Sequence, residues 1–286
     1  QGFAFSLSAD GLALTISQNG TDVLRITLAD STSGAYTIEQ LAPVHHGGPS
    51  EDNVLFEIAY RVTDSDGDFV DGTMTVNVDD DTPVAAIDPN IALPSLVADE
   101  SNGTGSGTDG QLSVSASFAA NFGASPAYGA DGPGSVDYAL ILNGSNVGSG
   151  LYAVDASAAD GKGAEIVLNQ GPGGVITGSA GNVTYFTITV DAAGTVTFTL
   201  TGNAPVWHAN TTDHDDASVL SLPDGALVLQ QTITDGDGDT DAASIDIGAA
   251  GIFSVGDDGP KAEFDSNAAL PSLVADESNG TGSGTD

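Results

Sequence analysis

The chain of 286 residues contains no cysteine, one methionine, one tryptophan and only four basic residues, Arg25, Arg61, Lys162 and Lys261. Without cysteine there is neither a disulfide framework nor a thiolate metal centre, so whatever staples the fold is something else. Against four cations stand 40 carboxylates, a formal net charge of −36. A field of that sign repels polyphosphate and anionic lipid, which excludes nucleic acid and acidic membrane surfaces as partners. No apolar run approaches the roughly 20 residues of a spanning helix, so no membrane insertion is expected. No stretch of ten residues carries apolar positions at helical spacing. Gly-x-Ser-x-Gly, P-loop and His-Glu-x-x-His patterns are missing, and Gly103 to Gly107 (GTGSG) follows no Rossmann strand. The chain is therefore read as non-enzymatic. It opens at Gln1 without Met or a leader, and is expected to begin inside something larger.

What is present is repetition. The stretch LPSLVADESNGTGSGTD occurs at Leu93 to Asp109 and again, unchanged, from Leu270 to Asp286, a spacing of 177 residues. A long fixed period marks one folded unit used in series. A shift of 162 carries Ile26 onto Ile188 and Ala42-Pro43-Val44-His45-His46 onto Ala204-Pro205-Val206-Trp207-His208. A shift of 171 carries residues 62–68 onto 233–239, and one of 177 carries Pro83 onto Pro260. The offsets grow in loops. Residues 1–87 are accordingly read as the C-terminal part of one repeat and 88–109 as a junction with the first strand of the next. Residues 110–264 are the remainder of that complete repeat, and 265–286 a further junction.

Within each part the apolar residues alternate. Phe3, Phe5 and Leu7, then Leu12, Leu14 and Ile16, then Leu24, Ile26 and Leu28, each read as a short strand. The face Val54, Phe56, Ile58, Tyr60, Val62 returns through Met74, Val76 and Val78, a β-hairpin with Asp64-Ser65-Asp66-Gly67-Asp68 at its tip. Short strands with frequent turn signals predict an all-β chain of tandem Ig-like (Greek-key) β-sandwich repeats with Gly/Ser/Thr-rich junctions.

The carboxylates are not evenly spread. Of the 40, 33 are Asp and 7 are Glu, and the Asp gather in turns beside Gly. Short oxygen ligands in tight turns suit a hard cation, and bare carboxylates a few ångströms apart repel until a divalent ion reverses the sign. Asp64, Asp66, Asp68 and Asp71, matched by Asp235, Asp237, Asp239 and Asp241, are the first candidate calcium ligands. The spacing is not that of an EF-hand. Asp79, Asp80 and Asp81, and in the next copy Asp257 and Asp258, end the last strand. Asp99 and Glu100, with Asp276 and Glu277, follow soon after, where a cation would fix the angle between repeats. His208 beside Trp207 reads as packing in a recurring corner, and Asp213-His214-Asp215-Asp216 as a weaker transition-metal candidate.

The segment Val62 to Asp68, the run Asp79-Asp80-Asp81-Thr82-Pro83-Val84-Ala85, the Tyr128-Gly129-Ala130-Asp131-Gly132 segment and Val97-Ala98-Asp99-Glu100-Ser101 together resemble the long Ig-like repeats of giant RTX-type adhesins secreted by bacterial type I systems. The resemblance covers most of the chain, although the Gly-Gly-x-Gly-x-Asp calcium rolls of that family do not occur in it. It implies an extracellular, calcium-loaded array at a bacterial cell surface. The expected role is a structural extender or fibre-forming module serving adhesion, biofilm or filament formation. Its partners would be neighbouring repeats, in one chain or head to tail in a fibre. The alternative is a module whose loops recognise a glycan or surface ligand.

Overall fold

The computed structural model describes residues 2–48, 52–100, 110–123, 125–213, 215–249, 251–259 and 268. Among these the fold is all-β, broken only by 3-10 turns at Ala119–Phe122 and Pro172–Gly174. Alternation of apolar with Thr, Ser and charged residues gives each segment one face to bury, and a one-residue slip would expose it, so the register is well specified.

In the N-terminal region β1 (Phe3–Leu7), β2 (Ala13–Gln18), β3 (Thr21–Leu28) and β4 (Tyr36–Gln40) form an antiparallel sheet in sequence order. β5 (Val54–Thr63) and β6 (Phe69–Val78) make the expected hairpin, in register from Val54 opposite Val78 to Thr63 opposite Phe69. Ile16, Val23, Leu24, Ile26, Val44, Phe56, Val76 and Val78 are the buried core between sheet and hairpin. Phe56 meets Phe3 edge-on, with ring centroids 5.0 Å apart. Phe3, Phe5 and Leu7 form the expected strand, with Phe3 half-buried against the core. Phe5 and Leu7 are 59% and 65% exposed on this edge strand, although Phe5 still meets the Phe56 ring edge-on at 6.4 Å.

The C-terminal region begins at β7 (Leu96–Asp99) and runs through β8 (Ser113–Ser117), β9 (Pro133–Leu142), β10 (Val147–Val154), β11 (Lys162–Gln170), β12 (Ile176–Ala180), β13 (Val183–Val190) and β14 (Thr195–Leu200). It then continues with β15 (Ala217–Val219), β16 (Leu227–Asp235), β17 (Thr240–Asp246) and β18 (Phe253–Gly256). A six-stranded sheet of order β10-β11-β12-β13-β14-β8 shares one core with two three-stranded sheets, β17-β16-β9 and β15-β18-β7. Phe198 of β14 lies at the centre, edge-on to Phe186 at 5.3 Å and to Phe253 of β18 at 5.4 Å. Gly178 makes room for that cluster, since a Cβ there would fall 2.3 Å from the Phe186 ring.

Strands β7 and β18 pair in parallel, Leu96 opposite Phe253 through Asp99 opposite Gly256. The first and last strands of this region therefore run the same way, so the chain enters at one end and leaves toward the other. Between the two regions, Val84 and Ala127 form an isolated antiparallel bridge.

Candidate metal centre

The two Asp-x-Asp-Gly-Asp loops fold alike. In each, the first Asp donates its backbone N–H to the carbonyl of the last, Asp64 to Asp68 at 2.9 Å and Asp235 to Asp239 at 3.0 Å. The carboxylate of that first Asp turns back to accept loop N–H groups: Asp64 Oδ1 from Asp66, Gly67 and Asp68, and Asp235 Oδ1 from Gly238 and Asp239. Gly67 and Gly238 have φ of +103° and +113°, a conformation that side chains exclude, which is why the fourth loop position is glycine in both. As a result Asp64, Asp66 and Asp68, and likewise Asp235, Asp237 and Asp239, each bring one carboxylate oxygen within 4.8 Å of the others.

The surroundings of the two tips differ. The first tip is exposed, and the Asp64 carboxyl is held below its ordinary range by a hydrogen bond with Asp66 and by the loop N–H groups. The second is covered by the N-terminal region: Asp235 is 3% and Asp239 0% exposed. The cover is His46 and Asp80, together with the loop carrying Asp131. His46 donates its backbone N–H to Asp237 Oδ2 at 3.0 Å, and its ring Nδ1 lies 2.7 Å from Asp80 Oδ1 and 3.8 Å from Asp237 Oδ2. His46, Asp80, Asp131 and Asp237 form a second group with one donor atom each inside 4.8 Å. Gly236 is what lets Asp131 approach, since a Cβ there would sit 2.3 Å from the Asp131 carbonyl oxygen. At the matching place in the exposed tip the chain carries Ser65.

Electrostatically this centre is under-compensated. Burial, then the charges of Asp237 and Asp80, push the Asp131 carboxyl up to about 6. Burial raises Asp237 and Asp239 as well, helped by the charges of Asp235 and Asp80. Both ring nitrogens of His46, Asp235 Oδ2, Asp237 Oδ1 and both carboxylate oxygens of Asp239 are buried without an aligned hydrogen-bond partner. Orphaned buried oxygens of this kind fit a hard divalent cation held by Asp235, Asp237 and Asp239.

A further group lies in the C-terminal region, where Glu100, His208 and Asp257 meet within 4.8 Å. His208 Nε2 lies 3.7 Å from Glu100 Oε2, while Nδ1 faces Ser218 Oγ at 3.2 Å and Asp216 Oδ1 at 3.6 Å. Burial opposes protonation of His208, but Glu100, Asp257 and Asp216 outweigh it and leave its pKa raised. The His208 ring is buried, as the expectation of corner packing has it, and the corner also brings carboxylates around it.

The remaining sequence candidates fall elsewhere. Asp71 is not at the tip; it makes an exposed bidentate pair with Arg61, at 2.7 and 2.9 Å. Asp241 accepts the N–H of Ala85 and of Ala242 at 2.8 Å each. Asp79 binds the Asn77 amide, and Asp81 takes the Ala130 N–H across the inter-region boundary. Asp99 is buried against Gly110 and Gly256. Asp258 donates its N–H to Asp257 Oδ1, and its own carboxylate joins none of the groups. Asp276, Glu277 and His214 lie outside the described residues. His46 and Asp131, which sequence reasoning left out of the ligand set, are central. The recurring Ala-Pro-Val-x-His stretch was the available signal for the first.

A family model described as Domain of unknown function (DUF5801) matches residues 95–248, more than half of the chain. The chain belongs to this family. The DUF5801 match opens at β7 and ends just past β17, so it contains Glu100, Asp131, His208 and the buried Asp235-Asp239 tip, whereas His46, Asp80 and Asp257 lie beyond it. No curated protein and no solved structure matches the chain.

Proposed function

We propose that the chain is a structural module of a very large secreted bacterial surface or matrix protein, a stiff extender or fibre unit whose Asp-rich hairpins take up calcium. The observation that carries this reading is the seating of the β16–β17 tip, with its buried carboxylates, against His46 and Asp80 of the preceding region. Three further contacts tie the regions together: Ala85 N–H to Asp241, Ala130 N–H to Asp81, and the Val84–Ala127 bridge. The parallel β7–β18 pair, which sends the chain in at one end and out toward the other, and the unchanged stretch at 93–109 and 270–286 support serial use. With an extracellular-type Kd on the order of 10⁻⁴ M, millimolar calcium contributes about 1.4 kcal/mol per site. Small-angle scattering and thermal melting of the chain with calcium and after chelation test this. Calcium is expected to lengthen the particle and raise Tm, and unchanged curves would reject the calcium-stiffened spacer.

A glycan-recognising module is the second reading, favoured by a groove lined by Trp207, Asn203, Asn210, Asp160 and Glu100. It ranks second because Lys162 Nζ lies 5.0 Å over the Trp207 ring and Trp207 Nε1 donates to the Asp160 carbonyl, so the face a sugar would stack on is already engaged. A glycan array probed with the chain and with Trp207→Ala separates the two readings.

A further inference from the structure

We propose that His46, Asp80, Asp131 and Asp237 form a mixed nitrogen–oxygen site for a divalent transition cation of the zinc class, different in kind from the all-oxygen hairpin sites. The donors come from four separate places: the strand-connecting segment at His46, the end of the N-terminal region at Asp80, and two loops of the C-terminal region carrying Asp131 and Asp237. Four groups bring one atom each, all within 4.8 Å of one another, and four is the ligand number of tetrahedral zinc. The His46 ring is 3% exposed, yet neither nitrogen has an aligned hydrogen bond, although Nδ1 lies only 2.7 Å from Asp80 Oδ1. Asp80 Oδ1 accepts the Asp81 N–H at 2.9 Å, so the buried nitrogens of His46 are the groups left for an ion to satisfy.

Charge points the same way. An imidazolium would bring a single positive charge to Asp80, Asp131 and Asp237, with Asp235 and Asp239 directly behind them. A divalent cation on a neutral imidazole brings two. Ligand type then selects the metal: imidazole suits zinc, nickel, copper and iron, whereas calcium wants six to eight oxygens. The pairing also recurs. His208 and Asp257, which align with His46 and Asp80, again converge, this time with Glu100, and His208 Nε2 is again buried without an aligned hydrogen bond, 3.7 Å from Glu100 Oε2.

The test uses the full chain, stripped with chelator and titrated separately with Zn²⁺, Ca²⁺ and, as a visible-absorption probe, Co²⁺. Co²⁺ is expected to give ligand-field bands that Zn²⁺ abolishes at equimolar addition and Ca²⁺ does not. His46→Gln should remove most of that absorption, the remainder going with His208→Gln. Asp131→Asn, at a partly exposed loop position where folding is not at stake, should weaken Zn²⁺ at least tenfold. Displacement of Co²⁺ by an equal concentration of Ca²⁺, or Zn²⁺ affinity and stoichiometry unchanged in both His46→Gln and Asp131→Asn, would overturn the site. The calcium reading is judged separately, since Ca²⁺ uptake at the exposed Asp64-Asp66-Asp68 tip does not involve His46.

Discussion

Replacing Asp237 by Asn should change stability with opposite sign depending on whether cation is present. The two side chains are nearly the same size, so packing is conserved, and the amide oxygen can still face the His46 N–H that Asp237 Oδ2 accepts at 3.0 Å. In the cation-free protein the substitution removes one charge from a buried cluster that already contains Asp80, Asp131, Asp235 and Asp239. Burial, then Asp235 and the charge of Asp80, hold the Asp237 carboxyl above its ordinary pKa, so its charge is a cost to the fold there. Asp237→Asn is therefore expected to be neutral or mildly stabilising in chelator. With cation at about 100 times Kd the bound ion contributes about 2.7 kcal/mol. A ligand loss that weakens Kd by roughly 10- to 100-fold removes about 1 to 2.5 kcal/mol of that, worth several degrees in Tm. Asp66→Asn, at the same loop position in the exposed tip, should stay within about 0.5 kcal/mol in chelator, since nothing buries it. The assay is paired thermal and urea melting of wild type and both variants, each with chelator and with cation. A destabilisation by Asp237→Asn of equal size in both conditions would refute the reasoning and reduce the carboxylate to a hydrogen-bond acceptor for His46.

Other substitutions separate core from site. Phe198→Ala, at a fully buried ring between Phe186 and Phe253, should cost about 3 to 5 kcal/mol with or without cation, read from urea midpoints. Gly236→Ala should loosen the junction, because its Cβ would meet the Asp131 carbonyl oxygen at 2.3 Å; hydrogen exchange should rise at residues 46, 131 and 236–238. Ser65→Ala, the matching change at the exposed tip, should leave exchange unaltered. Asp71→Asn should cost less than about 1 kcal/mol and leave calcium affinity unchanged, since Asp71 is engaged by Arg61 at the surface; a clear loss of affinity would return Asp71 to the ligand set.

The strands were legible because each carries its own alternating face, and the Val54–Val62 and Met74–Val78 runs even define the hairpin loop between them. The same register contained a correction that spacing alone hid. With Thr63 opposite Phe69, Arg61 stands opposite Asp71, so a cross-strand ion pair, not a fourth tip ligand, is what that Asp makes. Asp131 and His46 could not be placed from local pattern, because their meeting with Asp237 spans 106 and 191 residues of chain and depends on how two regions pack. A buried tip and an exposed tip also read identically in sequence, Ser65 against Gly236 being the one difference that records the close approach of a neighbour. The exposure of Phe5 and Leu7 escaped for a related reason: alternation marks a face as apolar without saying what covers it.

If a cation at the junction fixes the two regions relative to each other, the distance between them must sharpen when it binds. The absence of cysteine allows spin labels to be placed at Ser6→Cys on β1 and Asn182→Cys in the β12–β13 turn, both exposed, with no competing thiol. The distance distribution between them, measured by pulsed electron resonance in frozen solution, reports the inter-region geometry directly. A single narrow distribution is expected with cation and a broad one after chelation, with Asp237→Asn broad in both. Distributions of the same width with and without cation would contradict it.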